Sequence, residues 1–477
     1  LLLAKRNGIE ADPRLEKRVA ALLDYQCALT GPEALPIAIG NAIEDTFFPL
    51  DAGESWCPGA TREMNRALFR PHLAPAPPDD PTVVRAFWLL AGALVAESGE
   101  GVHETLPEEF PDAGLYVLDD RRLAGRLLLR SGPTPGTELA AGHSHADILS
   151  VYLHVHGHPL LVDSGTYTYR KSGQGWAMGS PDWRSYLAGR AAHNGFAITS
   201  HDPFGPMSDD FRQRDLPGRV TGQHESGAGL AFVGARWQGP GPYDGTQRFC
   251  IHVPGEYWLV LDELPATPEH ALERWIGFQL APGCAVHRRV DGVDIAPDEG
   301  PPALLITHEA GLGEPEVLEG SLDPLGGWVS PRYGELRPAP QLRYPLSTQT
   351  RSAAFLLSSE ARVREVRFAK TAFHNGSWFI HLQGPSRDDW IIAQPKTRAP
   401  WLLGDDRVEF DGLLLWLRQE QGHINSLRWL SASRLEWAAR GVRLLSTHVQ
   451  PFNLALPENI RPEWLTERFG AYRWPGN

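Results

Sequence analysis

From about Gly114 the chain changes its periodicity and keeps the new one almost to its end. Short runs in which apolar and polar residues alternate are bounded by Gly, Pro, Asp and Asn, the pattern of strands with a buried face. Leu149, Val151, Leu153 and Val155 place one face of such a strand in a core, while Ser150, Tyr152, His154 and His156 point the other way. Gly157-His158-Pro159 turns the chain, and Leu160-Leu161-Val162 returns as a buried strand. Residues 256–261, 378–382, 390–393 and 413–417 read as further strands. Many short strands separated by turn signals predict stacked antiparallel sheets.

Before that switch the sequence is helical in character. Asp12-Pro13 is a helix start, an N-cap followed by proline at the first helical position. Leu15, Val19, Leu22 and Leu23 then recur at the spacing that lines one helix face, and Asp80-Pro81 repeats the start signal ahead of a second apolar stripe through Val84, Phe87, Trp88, Ala91, Leu94 and Val95. A loop rich in Gly, Pro and aromatics and a proline-rich connector (71–81) lie between. The opening Leu1-Leu2-Leu3-Ala4-Lys5-Arg6-Asn7-Gly8 shows no signal-peptide pattern and reads as the tail of an amphipathic helix closed by Gly8. That reading makes the chain a fragment or a processed product.

At 477 residues there is room for two or three domains, each with its own core. No apolar run is long enough to span a membrane as a helix. A formal net charge of −13 argues against a general nucleic-acid binder, which needs a basic face for phosphates. Between Ser164 and Ser200, however, Arg170, Lys171, Arg184 and Arg190 stand against a single acid, Asp182, a local balance that suits an anionic substrate. Cys27, Cys57, Cys250 and Cys284 are far apart, form no Cys-x-x-Cys pair and read as ordinary buried thiols.

The chemistry concentrates in Gly142-His143-Ser144-His145-Ala146-Asp147, Val162-Asp163-Ser164-Gly165-Thr166-Tyr167 and Ala192-His193-Asn194. Alternation puts His143, His145 and Asp147 on one side of an extended segment. Zinc takes imidazole and carboxylate ligands in tetrahedral geometry, and three protein ligands leave a fourth position open. His145, Asp163 and His193 can come from neighbouring strands and a following loop to make that set. An isolated His-x-His is more often a hydrogen-bonded strand end, but the adjoining motifs reverse the preference here. His154, His156 and His158 are assigned to the solvated face of a hairpin. No Gly-x-Ser-x-Gly elbow surrounds Ser150 or Ser164, no phosphate-cradling glycine loop is present, and acid pairs such as Glu44-Asp45 have nothing to fix their separation. The 16 tryptophans offer faces for sugar rings, though core and rim positions account for most of them.

Taken together, His143-Ser144-His145-Ala146-Asp147-x-Leu149-Ser150, Gly157-x-Pro159-Leu160-Leu161-Val162-Asp163-x-Gly165-Thr166-Tyr167 and Ala192-His193-Asn194 resemble the heparinase II/III-like family. Its members include polysaccharide lyases acting on heparan sulfate and alginate-type chains and proteins of exopolysaccharide gene clusters. The resemblance implies an α+β multidomain fold: residues 1–110 as the C-terminal part of an α/α toroid, 111–370 as an antiparallel β-sandwich with the metal site, and 371–477 as a further β-strand layer. It implies a zinc ion on His145, Asp163 and His193 that organises the cleft, with His143 facing the substrate as a catalytic group. Arg184, Tyr186, Arg190 and Asn194 are the expected substrate contacts. The implied reaction is β-elimination on a uronate-containing polysaccharide, by a periplasmic or secreted protein. The family's toroid also supplies an Asn or His and a catalytic Tyr, upstream of the helix matching Leu1–Gly8, so these 477 residues alone are expected to be catalytically weak. Ser164, Gly195 and Asn41 stand where proline, threonine and aspartate are frequent. The alternative reading is a non-catalytic carbohydrate-binding or exopolysaccharide-biosynthesis protein on the same scaffold, and a third is a hydrolase.

Overall fold

The computed structural model describes residues 1, 4, 7–30, 37–40, 58–70, 86, 108–132, 144–169, 181–199, 201–203, 219–239, 241–266, 273–297, 300–393, 401–403, 406–437 and 442–455. His143, Arg170, Lys171, Cys57, Asn41, Glu44-Asp45 and the expected helix after Asp80-Pro81 lie outside them.

The described residues are β-rich, and every sheet is antiparallel. A five-stranded meander runs Glu109–Phe110, Leu115–Asp120, Gly125–Arg130, Val151–Val155 and His158–Leu161. An eight-stranded sheet has Tyr257–Glu263 between Gln247–Val253 and Ser352–Ser358 at its centre. Phe196–Ile198, Arg274–Gln279, Gln341–Leu346 and Glu316–Leu318 make a four-stranded sheet, and the chain from Arg367 onward makes a second eight-stranded sheet.

Period-two alternation sorts the side chains between layers. Trp258 and Val260 enter one core with Val151, Leu153, Val155, Leu127 and Leu129 of the meander. Their neighbours Tyr257, Leu259 and Leu261 face the opposite way and pack with Trp378, Ile380, Ile391 and Trp416 of the last sheet. Both faces of the sheet are therefore dry at its centre, which is why Tyr257 to Leu261 reads as a continuous apolar run rather than an alternating one.

Polar groups cross the second of these interfaces. Glu256 meets Arg387 at 2.7 Å, Arg362 at 2.8 Å and Arg418 at 2.9 Å, and Arg418 also forks onto Asp389 at 2.7 and 2.8 Å. Tyr257 donates to Asp389 at 2.8 Å and accepts from the Trp416 indole at 3.0 Å.

Helix α1 (Pro13–Thr30) begins where Asp12-Pro13 predicts, with the Asp12 carboxylate accepting from the Arg14 N–H at 2.8 Å. Its buried face is Leu23, Asp24, Cys27, Ala28 and Thr30, whereas Leu15 and Leu22, expected on the core side, are 48% and 61% exposed. The phase is set by α2 (Pro58–Phe69) and the residue after it: Asp24 accepts from Asn65 at 2.9 Å and pairs with Arg70 at 2.7 Å. Tyr25 and Leu29 pack onto Leu115, Val117, Leu128 and Tyr152 on the outer face of the meander.

That contact corrects one sequence assignment. His154 is 9% exposed rather than solvated, because this face of the meander is covered: the cross-strand neighbour Arg126 reaches the Ala28 carbonyl of α1 at 2.5 Å. Burial, with Arg126 nearby, pushes the His154 imidazole down to about 4. His156 and His158 are exposed at the hairpin turn, as expected. Cys27, Cys250 and Cys284 are buried thiols.

Candidate metal centre

Residues 151–161 form a hairpin that turns at His156 and Gly157, both with positive φ (+50° and +75°). Antiparallel pairing brings its two ends together, so the loop before Val151, which carries His145, meets the segment after Leu161, which carries Asp163. His193 follows the short 3-10 turn Arg190–Ala192 and precedes strand Phe196–Ile198. The strand Arg274–Gln279 joins the parts: Val162 donates to the Gln279 carbonyl at 3.0 Å, and Phe196–Ile198 pairs along it.

The three expected ligands converge. One donor atom from each of His145, Asp163 and His193 lies within 4.8 Å of the others, and all three residues are buried. His145 Nδ1 is 3.2 Å from Asp163 Oδ1, and His193 Nδ1 is 3.6 Å from Asp163 Oδ2. Burial alone would raise the Asp163 carboxyl. The two imidazoles and the Gly165 N–H, donating at 2.8 Å, outweigh it and hold the group well below the usual carboxylate range. Burial drives His193 the other way, down to about 4, with Asp163 opposing and His145 reinforcing. Neither ring nitrogen of His193 has a hydrogen-bond partner among the described residues. A neutral, buried imidazole with orphaned nitrogens beside an ionised carboxylate is a donor set suited to a divalent cation such as zinc.

Tyr152 holds the carboxylate from behind. Its hydroxyl is 3.1 Å from Asp163 Oδ2 and also 3.1 Å from Asp147 Oδ2, which takes a 2.7 Å bond from Arg130 Nε. Asp147 thus faces inward, toward an arginine. Sequence reasoning missed Tyr152 and Arg130. The available signal was Tyr152's place on the non-core face of the strand that leads out of the ligand loop.

The four expected substrate contacts are all buried. Arg190 bonds the carbonyls of Phe196 at 2.7 Å and Ala146 at 3.2 Å and that of Ile148, while Asn194 donates to the Val162 carbonyl at 3.0 Å and accepts from Gln279 N–H. Arg184 donates to the Tyr169 carbonyl at 2.9 Å. Burial, tempered by Arg343, pushes the Tyr186 hydroxyl up to about 12. A second arginine, Arg248, works beside Arg190: it forks onto Asp262 at 2.8 Å and donates to the carbonyls of Leu149 at 2.9 Å and Asn194 at 2.6 Å.

Residues 103–371, which include the whole ligand set, match the model of a family described as heparinase II/III-like, C-terminal. The chain belongs to the heparinase II/III-like family. No curated protein matches the sequence. Among solved structures the chain is similar to a crystal structure of heparinase III, at 15% identity and a TM-score of 0.52, over 80% of this chain and 55% of that one. It is also similar to the heparan sulfate lyase HepC from Pedobacter heparinus, at 13% identity and a TM-score of 0.51, over 78% of this chain and 52% of the other. At such identities the likeness shows the fold, and the chain spans about half the length of either structure. No described helix is long and apolar enough to cross a membrane.

Proposed function

We propose that the protein is a polysaccharide lyase that cleaves a uronate-containing polymer by β-elimination. The observation that carries the reading is the buried cluster of His145, Asp163 and His193 on the scaffold of a family whose solved relatives include a heparan sulfate lyase. In this reading these three residues hold a zinc ion, whose charge fixes the loops that shape the cleft. Arg190 and Asn194 position those loops, and Arg184 and Tyr186 form the wall behind them. His143 is the substrate-facing catalytic group. The helices α1 and α2 belong to the toroid that forms the other side of the cleft, and the sheet from Arg367 onward is a separate layer beneath the metal-bearing one.

The elimination balances without a co-reactant. A polar group neutralises the uronate carboxylate, which acidifies the C5 proton. A base takes that proton, the electron pair forms the C4–C5 double bond, the C4–O bond breaks, and a general acid protonates the departing oxygen. An exported protein would meet such an anionic polymer.

The test is to incubate the intact protein with uronate polymers while following both ultraviolet absorbance of the unsaturated product and retention of the polymer. Absorbance growth with polymer binding supports the lyase. New reducing ends without a double bond would make it a hydrolase, and binding without any bond cleavage would make it a carbohydrate-binding protein.

A further inference from the structure

The groups that support the Asp163 carboxylate stand on the face of the meander that α1 covers. Along Gly125–Arg130 the side chains of Arg126, Leu128 and Arg130 share that face, and on the next strand Tyr152 pairs with Leu128 and His154 with Arg126. The three positions have different partners. Arg126 reaches the Ala28 carbonyl of α1 at 2.5 Å, Leu128 and Tyr152 pack with Tyr25, Leu29, Ile37 and Ile39, and Arg130 holds Asp147 at 2.7 Å. Tyr152 thus belongs to two contacts at once. Its ring is part of the cluster with the helical residues, while its hydroxyl stands 3.1 Å from Asp163 Oδ2.

Further links run the same way. Ile37 N–H donates to the Leu29 carbonyl at 3.0 Å, which ties residues 37–40 to the end of α1. That segment turns at Gly40, with φ +65°, and the Gly40 N–H lies 3.4 Å from Asp163 Oδ2. Tyr25 of α1 is near enough to Arg130 and Asp147 for both charges to act on its hydroxyl, which burial raises. Lifting these residues off the meander would wet the Tyr152 ring and withdraw the Gly40 N–H, and both groups serve the same oxygen of one metal ligand. We infer that zinc loading and the docking of α1 and residues 37–40 on the meander are one linked equilibrium. The docked arrangement is the high-affinity state for the ion, and the bound ion in turn holds the helical residues down. This rests on the zinc reading above and adds to it a second state, in which the helical residues are loosened and the ligands are poorly aimed. Linkage makes the two effects equal in size.

The experiment uses the full chain and zinc alone, in two measurements. Amide exchange of wild type is followed with zinc bound and after chelation. Zinc affinity of wild type, Leu29→Ala and Leu15→Ala is measured by competition with a chelator of known affinity. Zinc should slow residues 23–30 and 37–39 by at least about threefold more than Ser377–Gln383 in the last sheet, and Leu29→Ala should lower zinc affinity by about three- to tenfold. Leu15, 48% exposed on the same helix, should accept alanine with wild-type affinity. The exchange measurement needs no variant, so it decides the matter even if Leu29→Ala fails to fold. Three results each overturn the coupling and leave the metal site standing: bound zinc that slows residues 23–30 no more than Ser377–Gln383, wild-type affinity in Leu29→Ala, or an equal loss in Leu15→Ala. A wild-type protein that binds no zinc overturns the zinc reading and the coupling with it.

Discussion

Removing one oxygen at the metal centre tests the geometry most sharply. Tyr152 is fully buried, and its hydroxyl carries a single proton between two carboxylate oxygens, each 3.1 Å away. Asp147 has a second donor in Arg130 Nε at 2.7 Å, whereas among the described residues the Asp163 Oδ2 atom has the longer contacts from Gly40 N–H at 3.4 Å and His193 Nδ1 at 3.6 Å. The phenol proton matters most to Asp163. A hydrogen bond to a buried charged acceptor contributes about 1.5–3 kcal/mol, and its loss leaves that oxygen under-solvated. Since about 1.4 kcal/mol is tenfold in affinity, Tyr152→Phe should weaken zinc binding by about 10- to 100-fold, the range found when a group supporting a metal ligand is removed. A competition titration of wild type and variant against a chelator of known affinity measures the change. Equal zinc affinity and an equal thermal midpoint would refute the argument, and would mean that Gly165 and Gly40 alone aim the carboxylate.

Three other outcomes are expected. Asp163→Ala should abolish stoichiometric zinc binding at a concentration that saturates wild type, as read by metal analysis after gel filtration; equal metal content would remove Asp163 from the ligand set. Glu256→Gln should cost about 3–5 kcal/mol in denaturant unfolding, because Arg387 and Arg418 are left buried with reduced compensation, and adding Arg387→Met should recover part of it. His154 is held at about 4 in the folded protein, against 6.5 for the unperturbed group. Between those values the unfolded chain binds a proton that the folded chain refuses, so stability falls as pH drops from about 6.5 to 4 and is unaffected above. The stability difference between wild type and His154→Gln should therefore vary with pH only inside that window, and a flat difference would show that His154 is solvated.

The β-rich architecture was legible because it depends on local signals, alternation and turns such as the one at Gly157. The convergence of His145, Asp163 and His193 was legible through the family resemblance, since the strand Arg274–Gln279 that joins the parts lies far along the chain. What escaped depends on partners far along the chain. His154 and Tyr152 occupy the polar phase of a strand, and nothing near them says that α1 covers that face. The helix phase was misjudged because its buried side contains Asp24, made tolerable only by Asn65 and Arg70. Leu22, the more hydrophobic choice, faces outward. Arg190 and Asn194 looked like substrate contacts, but charge and amide groups serve equally well to tie down carbonyls, and sequence does not distinguish the two uses.

The paired arginines behind the centre imply something about how this region opens. Arg190 and Arg248 between them grip carbonyls of Ala146, Ile148, Leu149, Asn194 and Phe196, and Arg248 is itself anchored to Asp262 in the central sheet. Neither histidine-bearing loop can lift away without stranding a buried guanidinium. Local fraying is therefore suppressed, and the amides around both loops should exchange with solvent only through the cooperative unfolding of the sheets beneath them. Loops on most proteins exchange early; these should be among the last to do so.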